Sequence, residues 1–123
     1  MPEARIGDLN YVQKFYVQAD ENAAVDEMTK DLPFGSVIKT LIDEFNAGDS
    51  LEARLAHDAD QLAFLVELKE LADLGYATPP TWIPNVQKRI LTDIGRSMAD
   101  SILTTPSDLW WRQKFIDRSD HTK

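Results

Sequence analysis

An all-α domain is the fold class this sequence predicts, on three observations. Apolar residues recur at helical spacing, helix caps and stops punctuate the chain at regular intervals, and alternating strand patterns are scarce. From the start, "LNYVQKFYV" reads as a short helix that Asp8 can cap, weakened by its β-branched and aromatic residues. "ADENAAVDEMTKDL" follows with acids early and a lysine late, which suits the helix dipole. After Pro33 and Gly35, "SVIKTLIDEFNAG" places Val37, Leu41 and Phe45 on one stripe, and Gly48 lies just past its end. Ser50 starts the longest element, "SLEARLAHDADQLAFLVELKELADLG", a helix of about seven turns closed by Gly75. "YATPPTW" is predicted to be a loop, because consecutive prolines oppose helix. Two further helices are expected: "IPNVQKRILTDIGRSMADSIL", bent at Gly95, and "SDLWWRQKFID", capped by Ser107. The polar tail "RSDHTK" carries no element, and the whole, residues 1–123, reads as one helical domain.

Composition narrows the function. At 43% hydrophobic, with five glycines and six prolines in 123 residues, the chain is globular and builds one core. A net charge of −8 repels nucleic-acid phosphates, so a broad DNA- or RNA-binding face is not expected. Small phosphorylated ligands stay open, because a metal ion reverses the local field. The absence of cysteine rules out disulfides and thiolate metal sites and fits a reducing, cytoplasmic setting. No signal peptide or membrane span is expected: the longest apolar run, "LAFLV", falls far short of the ~20 residues that cross a bilayer.

Two clusters of acids carry the chemistry. Asp60 has Ala56, Ala63 and Phe64 as its helical neighbours, so its carboxylate is expected to project from an apolar stripe, and residues 62–66, apolar on every face, are expected to be surrounded by protein. A buried aspartate needs a cation, a metal or several hydrogen bonds, so Asp60 is a metal-ligand candidate or the partner of an arginine on a neighbouring helix. His57 and Asp58 point about 100° apart on a helix and do not easily converge on one ion, whereas His57 and Asp60 can. At the other cluster Glu3 and Asp8 bracket Arg5, and Gly7 allows a turn that brings both acids inward. Trp82, Trp110, Trp111 and Phe115 are assigned to packing, in a core or an interface.

Taken in order, "PEARIGDLNYV", "LPFG", "AHDADQLAFLVELKELADLG", "WIPNVQKRI" and "DLWW" resemble the HD-domain phosphohydrolases, and within them the small nucleoside 5′-monophosphatase branch. The resemblance runs across nearly the whole chain. It implies an all-helical HD-domain-like bundle with one divalent metal ion (Mn, Co, Mg or similar), held by a histidine, a His-Asp pair and a distant aspartate. Asp60 matches that aspartate and becomes the metal residue. Glu3 and Asp8 match the acids that act on the attacking water and the substrate, and Arg5 is either a phosphate partner or a structural ion pair with them.

The same resemblance implies a departure. The His-Asp pair belongs immediately before "MPEAR", and the chain begins after that point, so it reads as the C-terminal part of an HD domain that lost its N-terminal ligands. His57-Asp58 lies on a different helix and does not replace the pair. The expected activity is removal of phosphate from nucleoside 5′-monophosphates, absent from this form, in which the metal is weakly held or missing. The alternative is a non-catalytic helical module that binds or dimerises. Either way the incomplete domain is expected to leave the "LAFLVEL" helix partly uncovered and to form a homodimer.

Overall fold

The computed structural model describes residues 11–116, and every regular element among them is helical. Helices α1 (Tyr11–Tyr16), α2 (Glu21–Thr29), α3 (Gly35–Ala47), α4 (Leu51–Asp73), α5 (Pro79–Arg89), α6 (Asp93–Thr104) and α7 (Leu109–Trp111) are followed by a π-helical turn over Arg112–Ile116. The all-α class predicted from the sequence is therefore observed. The chain divides into two compact units at Glu44/Phe45.

In the first unit, Asp20 caps α2 by accepting from the Ala23 N–H at 3.0 Å. Lys39 of α3 pairs with Asp26 of α2, which ties two consecutive helices together across their polar faces. The ion pair is exposed and contributes little stability.

The second unit holds the core. Ser50 caps α4 as predicted, accepting from the Ala53 N–H at 3.1 Å, and Gly48 and Gly75 take φ values of 68° and 94° at the ends of α3 and α4. On α4 the positions Asp58, Leu62, Leu65 and Leu68 follow one helical face, and all four are buried. Leu62, Leu65 and Leu68 join Val86 and Ile90 from the α5 side and Ala99 of α6, with Phe64, Ile83, Ile102 and Leu103 packed at the edge. Leu65, fully buried, sits at the centre. Withdrawing a leucine of that size from water contributes ~1.5–3 kcal/mol.

Several expectations need correction. Pro79 and Pro80 do not hold the chain in a loop but open α5, because the first turn of a helix has no use for the N–H groups they lack. The helix expected to bend at Gly95 is two helices, broken at residues 90–92, where Thr92 accepts from the Gly95 N–H at 3.0 Å and starts α6 as an N-cap. Residues 62–66 are not enclosed: Leu62 and Leu65 are buried but Ala63 and Val66 are exposed, since among the described residues α5 and α6 pack on one side of α4. The last predicted helix is reduced to α7 and the π-turn, and Ser107 turns away from the cap position to donate to Asp73. Trp82 does pack, tilted against Phe64 with ring centroids 6.3 Å apart, but Trp110 and Phe115 are 74% and 63% exposed and belong to no core.

Candidate functional site

Within five residues of α4, His57, Asp58, Asp60 and Gln61 meet different surroundings, and these separate structural from chemical roles. His57 half-buries its ring. Its Nε2–H donates to the Phe45 carbonyl at 2.8 Å, and the imidazole stacks on the Phe45 ring with centroids 4.0 Å apart and planes 19° apart. A carbonyl accepts only, so this nitrogen carries its proton and has no lone pair for an ion.

Asp58 is only 2% exposed, and it is the buried carboxylate of this helix. Oδ1 accepts from the Leu91 N–H at 2.7 Å, while Oδ2 accepts from the Thr92 N–H at 2.9 Å and from the Thr92 hydroxyl. Burial alone pushes such a carboxyl up. The donors from Leu91 and Thr92, with Arg96 nearby, outweigh it and hold Asp58 below its ordinary value. The carbonyls of the same turn are also taken: Arg54 donates to Leu91 O and Arg96 to Ile90 O, each at 3.1 Å. A backbone break that would otherwise leave buried groups unpaired is thus satisfied from α4 and α6.

Asp60, the metal candidate, lies on the exposed side of α4 beside the exposed Ala56 and Ala63. The expectation of a buried aspartate is corrected: of its apolar neighbours Ala56 and Ala63 are small side chains at the surface, and only Phe64 packs at the edge of the core. Its Oδ2 accepts from Gln61 Nε2 at 3.2 Å, and the other amide atom, Gln61 Oε1, is buried with no donor among the described residues. Glu3, Arg5 and Asp8 lie outside the described residues.

No group of three or more His, Cys, Asp and Glu side chains among the described residues is placed to hold a metal ion. The donor chemistry agrees: both oxygens of Asp58 and the Nε2 of His57 are committed to hydrogen bonds, and the remaining donors of this turn do not gather into a ligand set. The described residues therefore do not by themselves fit a divalent metal.

At the far end of α4, Asp73 ties down the segment after α6. It accepts from the Ser107 N–H at 2.9 Å and from the Ser107 hydroxyl at 2.6 Å, and it pairs with Lys69. Lys69 and the two hydrogen bonds from Ser107 lower its carboxyl to about 2. An open groove of about 340 Å³ lies alongside, lined by Val66, Lys69, Ser101, Ile102 and Pro106 among others; Asp60 does not line it.

A family model described as an HD domain matches residues 1–101. The chain belongs to the HD domain family. That membership places it in a superfamily of metal-dependent phosphohydrolases whose members generally bind divalent metals. A comparison with curated proteins returns no match, and a comparison with solved structures returns none either. No helix among the described residues of this HD domain is long and apolar enough to cross a membrane.

Sequence reasoning set Asp58 aside as half of a misplaced His-Asp pair. It stands four and seven residues before Leu62 and Leu65, on the face that the docking of α5 and α6 turns into the core.

Proposed function

We propose that this HD domain belongs to a metal-dependent phosphomonoesterase acting on nucleoside 5′-monophosphates, and that the 123-residue chain is inactive by itself. In this reading Asp60 is the chain's metal ligand, Glu3 orients or deprotonates the attacking water, Asp8 serves the leaving 5′-oxygen or a sugar hydroxyl, and Arg5 pairs with the phosphate. The match to the HD domain over residues 1–101, which includes all four of these positions, carries the reading. The donor set supports inactivity: tight sites for such ions use several protein ligands, and no group of three or more His, Cys, Asp and Glu side chains among the described residues is placed to hold one. The test is hydrolysis of nucleoside monophosphates with added Mn²⁺, Co²⁺ or Mg²⁺. Negligible turnover by this chain is expected, with activity appearing in a longer chain that also carries the family's histidine and His-Asp ligands. Robust metal-dependent turnover by the 123 residues alone would overturn the ligand assignment.

A second reading, a non-catalytic helical module that forms a homodimer, is favoured by the apolar surface of α6. Ile94 and Met98, one turn apart on the same side of that helix, are 58% and 50% exposed. Apolar surface of this kind marks association sites when it is contiguous.

A further inference from the structure

The chain contains one His-Asp dipeptide, at 57–58, in a family named for such a pair, and its two side chains reach different partners instead of converging on one ion. We infer that His57 and Asp58 form a two-way latch that fixes α4 between the turns on either side of it, and that the unit from Phe45 onward holds its fold without any divalent metal. This stands apart from the phosphohydrolase reading, since it concerns neither Asp60 nor the N-terminal acids.

Adjacency on a helix is what lets the pair act in two directions. Side chains one residue apart diverge by about 100°, which prevents them from sharing one ion but allows each to reach a different neighbour. His57 reaches back to the last turns of α3, where its Nε2–H meets the Phe45 carbonyl at 2.8 Å and its ring covers the Phe45 ring. That carbonyl lies at a helix end, where acceptors lack intrahelical donors, so the imidazole acts as a C-terminal cap delivered from another helix. Asp58 reaches forward to the α5–α6 break. It gathers the Leu91 N–H, the Thr92 N–H and the Thr92 hydroxyl, and the same hydroxyl oxygen accepts from Gly95 to start α6.

A metal ligand must offer a lone pair toward the ion, and second partners normally orient the opposite side of the group. At Asp58 three donors occupy both oxygens inside a pocket that leaves the residue 2% exposed, and a metal there would need two backbone N–H groups to lose their acceptor. At His57 the Nε2–H is spent on the Phe45 carbonyl and only Nδ1 keeps a lone pair, and among the described residues no group of three or more His, Cys, Asp and Glu side chains is placed to share an ion with it.

The experiment uses the 123-residue chain and reads its thermal midpoint with EDTA and with MnCl₂, for wild type, His57→Phe, Asp58→Asn and Asp60→Asn. The expected result is a wild-type midpoint that moves by less than about 2 °C between EDTA and Mn²⁺, since a ligand stabilises only through binding to the native state. His57→Phe, which keeps the stacking but removes the hydrogen bond, and Asp58→Asn each lower it by about 4 °C or more, and Asp60→Asn leaves it within about 2 °C. A Mn²⁺-dependent rise that survives in His57→Phe and Asp58→Asn and vanishes in Asp60→Asn also supports the latch, because the ion then ignores the pair. A rise that vanishes in His57→Phe or Asp58→Asn overturns it, as does a pair of variants with unchanged midpoints. If Asp58→Asn does not fold, the wild-type response to Mn²⁺ and the His57→Phe variant decide the question alone.

Discussion

Asp58 and Gly95 meet across the α4–α6 contact so closely that a Cβ on Gly95 would lie 2.4 Å from Asp58 Oδ2 and 2.7 Å from Ile90 Cγ2. Glycine is therefore required at 95 by the carboxylate opposite it, not by its own backbone, which is ordinary helix. The carboxylate has no room to retreat, since three hydrogen bonds hold it. On propensity alone Gly95→Ala in a helix gains about 1 kcal/mol. Overpacking costs about 1–3 kcal/mol and breaking the Asp58 bonds adds to it, so the net sign is destabilising. Urea unfolding of the variant checks this: a midpoint at or above wild type contradicts the close approach.

Asp58→Ala is expected to destabilise by about 2–4 kcal/mol, because it strands the Leu91 and Thr92 N–H groups in a buried turn at about 1–3 kcal/mol for each unsatisfied donor, with partial relief from water. Thr92→Val keeps the shape but removes both the hydroxyl bond to Asp58 and the cap on Gly95, for a loss of about 1–2 kcal/mol. Chemical denaturation of the two single variants and the double variant gives the coupling, which is expected to be non-zero because they share one network.

Stability is expected to fall at low pH through Asp58 and Asp73, whose carboxyls both sit below the ordinary value of 3.8. A lowered carboxyl favours the folded state above its unfolded value and loses that contribution as pH falls through the folded value. For Asp73 the loss spans the interval from about 4 down to about 2. Unfolding midpoints measured from pH 5 downward (the range being about that of ordinary carboxylate titration) check it, and Asp73→Asn should flatten the dependence.

Asp60→Ala should leave the stability of this chain within about 0.5 kcal/mol of wild type, as expected of a surface side chain whose described partner is Gln61. In a longer chain that carries the full ligand set it should abolish phosphate release. A variant that loses stability and keeps activity would reverse the two roles assigned on α4.

Sedimentation at micromolar concentration tests the dimerising reading. The chain should sediment as a dimer, and Met98→Glu should shift it toward monomer by placing a charge on the exposed face of α6. A wild-type monomer would remove that reading.

Local rules were enough for much of the fold. Ser50 and Gly48 were legible as the start of α4 and the end of α3 because capping and positive φ depend on a few consecutive residues, and the all-α class followed from the same short-range periodicity. The resemblance of "AHDADQLAFLVEL" to the HD domains was likewise carried by order and spacing along the chain. What the sequence could not decide was which face of α4 finds cover. Asp58 and Asp60 are two residues apart, of one type, each with apolar helical neighbours, and only the docking of α5 and α6 makes one of them a buried anchor and leaves the other at the surface. The break at residues 90–92 has the same origin. Nothing in "KRILTDIG" forbids a continuous helix, and it is Asp58, more than thirty residues earlier, that takes the Leu91 and Thr92 N–H groups and lets Thr92 begin a new one. Short-range preferences are written in neighbouring residues, but burial and long-range hydrogen bonds exist only once distant segments meet.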